Sequence, residues 1–118
     1  MNERFAPDLQ SLLQAIETDI YSRPESVISP LRQLLLRCNS DKQLCYAYEH
    51  LGFAYLRLAE HRMSRIFYEE ALSYEPNNFY VLANLAHAVY ESGDRQKGIE
   101  YGRRALQLKD ESAVAAGY

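Results

Sequence analysis

Tryptophan is absent from this 118-residue chain, proline occurs four times, glycine five times and cysteine twice. Each shortage narrows the reading. So few helix breakers, with little Val and Thr, favour an all-helical chain over strands and turns. With no Trp and ten Tyr, tyrosine takes the large aromatic positions. No window approaches the roughly 18 consecutive apolar residues of a membrane span, so no membrane association is expected. Neither sign of charge dominates: the net charge is −3, whereas a nucleic-acid surface needs a basic face. The start, Met-Asn-Glu-Arg-Phe-Ala-Pro, has no apolar run behind it, so no signal peptide is expected and a cytoplasmic protein is. Cys38 and Cys45 flank an expected turn. A zinc site needs more ligands nearby than this pair offers, so neither metal nor other cofactor is expected. The pair reads as two free thiols at or near the core, with a reversible disulfide as the alternative.

What is present is one domain's worth of helix. Hydrophobic residues at 47% suffice for a core, and charged residues at 25% exclude a disordered composition. Residues 1–7 read as a lead-in. From Pro7-Asp8, the positions Leu9, Leu12, Leu13, Ile16 and Ile20 form the stripe of an amphipathic helix ending near Tyr21. Ser22-Arg23-Pro24 breaks it. A second helix starts between Pro24 and Ser29, continues through Leu31, Leu34, Leu35 and Leu36, and stops at Cys38-Asn39, with Ser40 or Asp41 capping the next.

The stretch from Cys45 to Pro76 carries the strongest pattern. Tyr48, Leu51, Gly52 and Tyr55 are spaced i, i+3, i+4, i+7, one face of a helix. Gly52 inside that helix costs about 1 kcal/mol against Ala, which marks it as the point where a second helix crosses. That helix is Arg62 to Tyr74, with a stripe of Met63, Ile66, Phe67, Ala71 and Leu72, and the ring of Tyr68. Pro76 ends it and Asn77-Asn78 caps its successor. A shift of 34 residues gives Leu82, Leu85, Ala86 and Val89, then Gly98, Gly102 and Ala105, all apolar or small. Glu91-Ser92-Gly93-Asp94 is a tight turn, with Gly93 at the left-handed cap and Asp94 at the next N-cap. Glu100 and Arg104 are spaced as an outer i, i+4 pair. Asp110-Glu111 begins something new, and Ser112 to Tyr118 reads as the opening of a further helix.

The run Tyr48, Leu51-Gly52, Tyr55, Ser64, Tyr68, Ala71, Pro76 resembles one tetratricopeptide repeat, with Tyr48 in the usual Trp position and Ser64 in the usual Ala position. The resemblance implies an all-α solenoid of antiparallel helix pairs. Residues 8–39 would be a degenerate repeat, 42–76 and 78–110 two repeats, and 111–118 a partial capping helix. In the degenerate pair, Glu17 falls where the glycine belongs. The short cap is expected to be either a minimal one or, as the favoured reading, the sign that the chain is the N-terminal part of a longer polypeptide.

In this family the first helix of each pair lines a concave groove that touches the ligand. Carried over by spacing, the lining is Tyr46, Glu49, Phe53, Arg57, Tyr80, Asn84, His87 and Tyr90, which the resemblance assigns to peptide or partner binding. The competing reading is that Tyr46, Phe53 and Tyr80 only fill space between repeats. Chaperone-binding members hold a C-terminal carboxylate with Lys, Asn and Arg. Asn84 matches one such position, but Glu49 stands where a Lys is wanted, so this is not a clamp of that type.

No nucleophile motif, phosphate loop or metal cluster appears. His50 and His87 lie on adjacent first helices, yet with Glu49 they make too few ligands for a metal. Glu69-Glu70 and Asp110-Glu111 are sequence neighbours that point apart on a helix, not catalytic pairs. The expected function is therefore a non-enzymatic scaffold or adaptor binding another protein or peptide. Two alternatives follow. The first is a regulatory or targeting module of a larger enzyme, such as a transferase, continuing past Tyr118. The second is self-association through a C-terminal edge presenting Ile99, Leu106, Leu108 and Val114.

Overall fold

Caps and turns written in the sequence set the helix boundaries. The computed structural model describes residues 4–115, and side chains of residues 4–111. It contains six α-helices: α1 Gln10–Ser22, α2 Ile28–Leu35, α3 Asp41–Arg57, α4 His61–Tyr74, α5 Phe79–Glu91 and α6 Arg95–Ala115. Short 3-10 turns, Pro7–Leu9 and Pro24–Val27, lead into α1 and α2. Among the described residues there is no strand, as expected. Ser40 Oγ accepts the Gln43 N–H at 3.2 Å, and the Gln43 side chain reaches back to accept the Asn39 N–H at 2.9 Å. Asn78 Oδ1 accepts the Val81 N–H at 3.1 Å, and Asp94 Oδ1 the Lys97 N–H at 3.3 Å. Each satisfies donors that a helix start leaves open.

The two turns within the repeats are alike. After α3, Ala59 N–H donates to Leu56 O at 3.0 Å and Glu60 N–H to Tyr55 O at 2.9 Å. After α5, Gly93 N–H donates to Tyr90 O and Asp94 N–H to Val89 O, both at 3.2 Å. Both are Schellman ends. Ala59 and Gly93, 34 residues apart, both have positive φ, 58° and 107°.

Consecutive helices pack as hairpins, α3 on α4 and α5 on α6, and α4 stacks on α5. Tyr68 and Gly52 make the crossing of α3 and α4: a Cβ at Gly52 would lie 2.9 Å from the Tyr68 ring. Ser64 Oγ donates to Gly52 O at 2.8 Å beside it. The expectation for Gly52 therefore holds, with a ring rather than a bare backbone as the close neighbour. Helix α3 serves two cores. Ala47, Leu51 and Ala54 join Ile16, Ile20, Val27, Leu31 and Leu34 of the first pair. Cys45 joins Tyr68, Ala71, Val81, Leu85, Ala88 and Val89. A fully buried aliphatic side chain contributes about 1.5–3 kcal/mol, so α3 is fixed from both sides.

Four local expectations are corrected. Leu36 is 87% exposed, because it stands i+5 from Leu31 and i+2 from Leu34, off the buried face of α2, whose end is closed by i→i+3 bonds from Leu36 to Gln33 and Arg37 to Leu34. Ile66 is 52% exposed, and the buried line of α4 is Ser64, Tyr68 and Ala71. Arg104 donates to Pro76 O at 2.9 Å, while Glu100 pairs with Lys97 at 3.6 Å, so the Glu100–Arg104 pair does not form. Finally, α6 runs unbroken through Asp110 and Glu111 to Ala115, so no separate helix opens at Ser112. With no Pro or Gly between Arg103 and Ala115, nothing there stops a helix. Residues 116–118 and the Val114 side chain lie outside what is described.

Candidate functional site: the groove of the first helices

Helices α1, α3 and α5, the first of each pair, together line a pocket of about 260 Å³. Helix α1 contributes Glu17, Ile20 and Tyr21; α3 contributes Glu49, His50 and Phe53; α5 contributes Tyr80 and Asn84. The spacing i, i+1, i+4 on α3 and i, i+4 on α5 turns these residues to one side. Phe53 packs its edge on Tyr21 with ring centroids 5.3 Å apart, tying the α1 wall to α3. Tyr80 stands 70% exposed on the other wall.

Of the eight residues expected from the sequence, Glu49, Phe53, Tyr80 and Asn84 meet in this pocket. The other four lie elsewhere. Tyr46 faces a second pocket of about 430 Å³ beside Phe5 and Gln43, donates to Glu17 Oε1 at 2.7 Å and stacks on His50 at 3.9 Å. Arg57 donates to the Tyr21 carbonyl at 2.9 Å. His87 is exposed and outside the lining. Tyr90 carries the Arg95 guanidinium 5.6 Å from its ring centroid.

Spacing missed Glu17, Ile20 and Tyr21. The degenerate first pair lacks the glycine crossing, so the register of α3 does not transfer to α1. The available signal was Tyr21, a large aromatic closing an otherwise aliphatic helix. His50 lies on the same stripe as Glu49 and Phe53 and belongs with them.

The pocket is acidic. No Lys or Arg lines it, and among the described residues Glu49 has no hydrogen-bond or ion-pair partner. Burial raises the Glu49 pKa above its usual value, and the nearby Glu75 carboxylate adds to this. Burial lowers the pKa of His50, opposed by its bond to Tyr46 and by Glu17. His50 Nδ1 lies 2.8 Å from the Tyr46 carbonyl, which can only accept, so Nδ1 carries the proton and Nε2 the lone pair. Burial raises the Tyr46 pKa, and its bond to Glu17 raises it further.

Both cysteines are free. Burial pushes the Cys38 thiol up to about 11 and, with Glu75 and Glu49, the Cys45 thiol up to about 12, which makes them poor nucleophiles at neutral pH. Among the described residues, no three His, Cys, Asp or Glu side chains are grouped to hold a metal ion. Among the described residues, no helix is long and apolar enough to cross a membrane.

Comparison with known proteins agrees with this architecture. A family model described as tetratricopeptide repeat matches residues 46–78. The chain is similar to the protein CTR9 homolog of Arabidopsis thaliana, 31% identical over 77 residues, which is 65% of this chain and 7% of that protein. The chain thus spans a small fraction of that relative's length. Among solved structures, it resembles that titled "Crystal structure of MamA", with a TM-score of 0.55 and 18% identity, covering 90% of this chain and 81% of the other. Residues 46–78 thus match a tetratricopeptide repeat, and the helical pairs have the fold of the expected repeat solenoid. Repeats of this family generally mediate protein–protein interaction, and the fold is typically a non-catalytic scaffold.

Proposed function

We propose that the chain is a protein-interaction module that holds an extended or helical segment of a partner in the groove between α1, α3 and α5. The observation that carries this reading is the meeting of Phe53, Tyr80, Asn84 and Glu49 with Tyr21 in one open pocket across all three first helices. Aromatic rings with exposed faces give contact area at small entropic cost, and a few polar groups set orientation. Peptides selected from a random displayed library on the intact protein test it. Selected binders are expected to lose at least about tenfold in affinity to Tyr80→Ala, a loss of ~1.4 kcal/mol. Tyr80 is mostly exposed, so the fold survives the change. Binders indifferent to Tyr80→Ala and to Asn84→Ala would overturn the groove reading.

A second reading, self-association, has its own support. Ile99 and Leu106 are 47% and 60% exposed on α6. Light scattering at rising concentration tests it. A strict monomer contradicts it, and a dimer lost in Leu106→Glu supports it.

A further inference from the structure

We propose that the groove seats a cationic side chain of the partner segment, lysine or arginine, between the carboxylates of Glu17 and Glu49 and the rings of Tyr21, Phe53 and Tyr80. This rests on the groove reading above and deepens it by naming the chemistry of the partner.

The charge balance of the lining is the first argument. The chain holds 13 Lys and Arg residues, yet none lines this pocket, whereas two carboxylates do. Arg57, further along α3, donates to the Tyr21 carbonyl at 2.9 Å and is not part of the lining. Glu17 takes the Tyr46 hydroxyl at 2.7 Å, a neutral donor that leaves its charge uncompensated. Glu49 has no partner at all among the described residues. A half-buried carboxylate without a counter-ion is costly to keep, and a cation arriving with a ligand relieves that cost. The nearby Glu75 adds to the negative potential. His50 does not offset it: burial lowers its pKa, and its one ring proton is given to the Tyr46 carbonyl.

The walls supply the second argument. Tyr21 and Tyr80 are 62% and 70% exposed, and Phe53 meets Tyr21 edge-on at 5.3 Å. Exposed ring faces next to carboxylates attract a cation twice over, through the ring quadrupole and through charge. A neutral apolar anchor would use the rings and leave Glu49 buried without compensation. An acidic anchor would meet repulsion. Size is the third argument. About 260 Å³ falls just below the roughly 300–1,000 Å³ of pockets for drug-sized ligands, and suits one long side chain.

The test compares two capped tripeptides, Ala-Arg-Ala and the same peptide with citrulline in place of arginine. Citrulline keeps the length and the planar end of arginine and removes the charge. Each is titrated into the isotopically labelled protein, following backbone amide shifts. The expected result is shifts at Phe53, Tyr80 and Asn84 with the arginine peptide, at least roughly fivefold tighter than with citrulline. Glu49→Gln is expected to erase the preference. Equal binding of both peptides, no shift with either, or shifts confined to other faces would overturn the cation proposal. Its failure is distinct from failure of the groove reading. Library-selected peptides that still depend on Tyr80 but carry no Lys or Arg preference leave the groove standing without the cation.

Discussion

The α3–α4 and α5–α6 hairpins share a 34-residue register and fill it differently. Between α3 and α4 runs a ladder of rings: Tyr74 on Tyr48 at 5.9 Å, Tyr48 on Phe67 at 6.2 Å and Phe67 on Tyr55 at 5.4 Å. The counterparts in α5 and α6 are Leu108, Leu82, Tyr101 and Val89, a single ring among aliphatic residues. At the crossing, Tyr68 lies on Gly52; its counterpart Gly102 faces the Ala86 Cβ at 3.8 Å from where its own would lie. Beside it, Ser64 Oγ donates to Gly52 O at 2.8 Å. The counterpart Gly98 has no side chain to offer, and a Cβ there would lie 3.0 Å from Ala86 O. The hairpin therefore requires complementary volumes at each crossing, not fixed residues. One repeat locks a large ring over a missing side chain, and the other brings two small surfaces together.

The contrast is broken most severely at Tyr68. Tyr68→Ala removes a fully buried ring and is expected to cost about 3–5 kcal/mol, read from urea unfolding. No change of comparable size is available at Gly102.

Gly98→Ala comes next. Its Cβ would meet backbone, Tyr90 N at 2.9 Å and Ala86 O at 3.0 Å, which cannot give locally. A loss of about 1–3 kcal/mol is expected. The nearest atoms to a Cβ in Gly52→Ala are those of the Tyr68 ring, at 2.9 Å. It is expected to destabilise the native protein but to become neutral or stabilising when combined with Tyr68→Ala, since helix propensity then favours Ala by about 1 kcal/mol. A double-mutant cycle reads this directly. Equal effects of Gly52→Ala in both backgrounds would contradict the proposed lock.

The paired turns give a smaller effect of opposite sign. Gly93→Ala places a side chain at φ 107° and is expected to cost about 1–2 kcal/mol. Ala59→Gly relieves the same strain at φ 58°, offset by unfolded-state entropy, for a change under about 1 kcal/mol. The Ala in the first turn and the Gly in the second thus test one geometry twice.

The smallest effect is electrostatic. Glu49 has a folded-state pKa raised above 4.5. Its contribution to stability is therefore fully present below 4.5 and is lost as pH rises through the folded pKa. Glu49→Gln is expected to raise the melting temperature slightly at pH 7 and to have little effect at acid pH. His50 has the opposite sign: its pKa is held below 6.5, so stability falls as pH drops from 6.5 toward the folded value. Thermal melts of Glu49→Gln and His50→Gln across pH separate the two.

The repeat was legible because its signals are local. The caps at Ser40, Asn78 and Asp94, the left-handed Gly93 and the Gly52 crossing each follow from one residue type at one offset. The groove was only half legible. Glu49, Phe53, Tyr80 and Asn84 share a helical period with the repeat, so spacing located them. Glu17 and Tyr21, spaced i, i+4 on α1, come from a pair whose packing departs from the pattern, so the register of the repeat does not point to them. Tyr46, Arg57 and Tyr90 sit on or beside the right stripe but are engaged by Glu17, the Tyr21 carbonyl and Arg95, partners from other elements that the pattern does not show. The length of α6 was misread because Asp110-Glu111 looks like a helix start, although an acidic pair within a helix stops nothing.

The measurement that bears most directly on the central claim is a map of where a library-selected peptide touches the labelled protein. The expected result is amide shifts gathered on α1, α3 and α5 around Tyr21, Phe53, Tyr80 and Asn84, with the faces of α2, α4 and α6 unchanged. Shifts gathered instead around Ile99 and Leu106 on α6, with the groove silent, would contradict it.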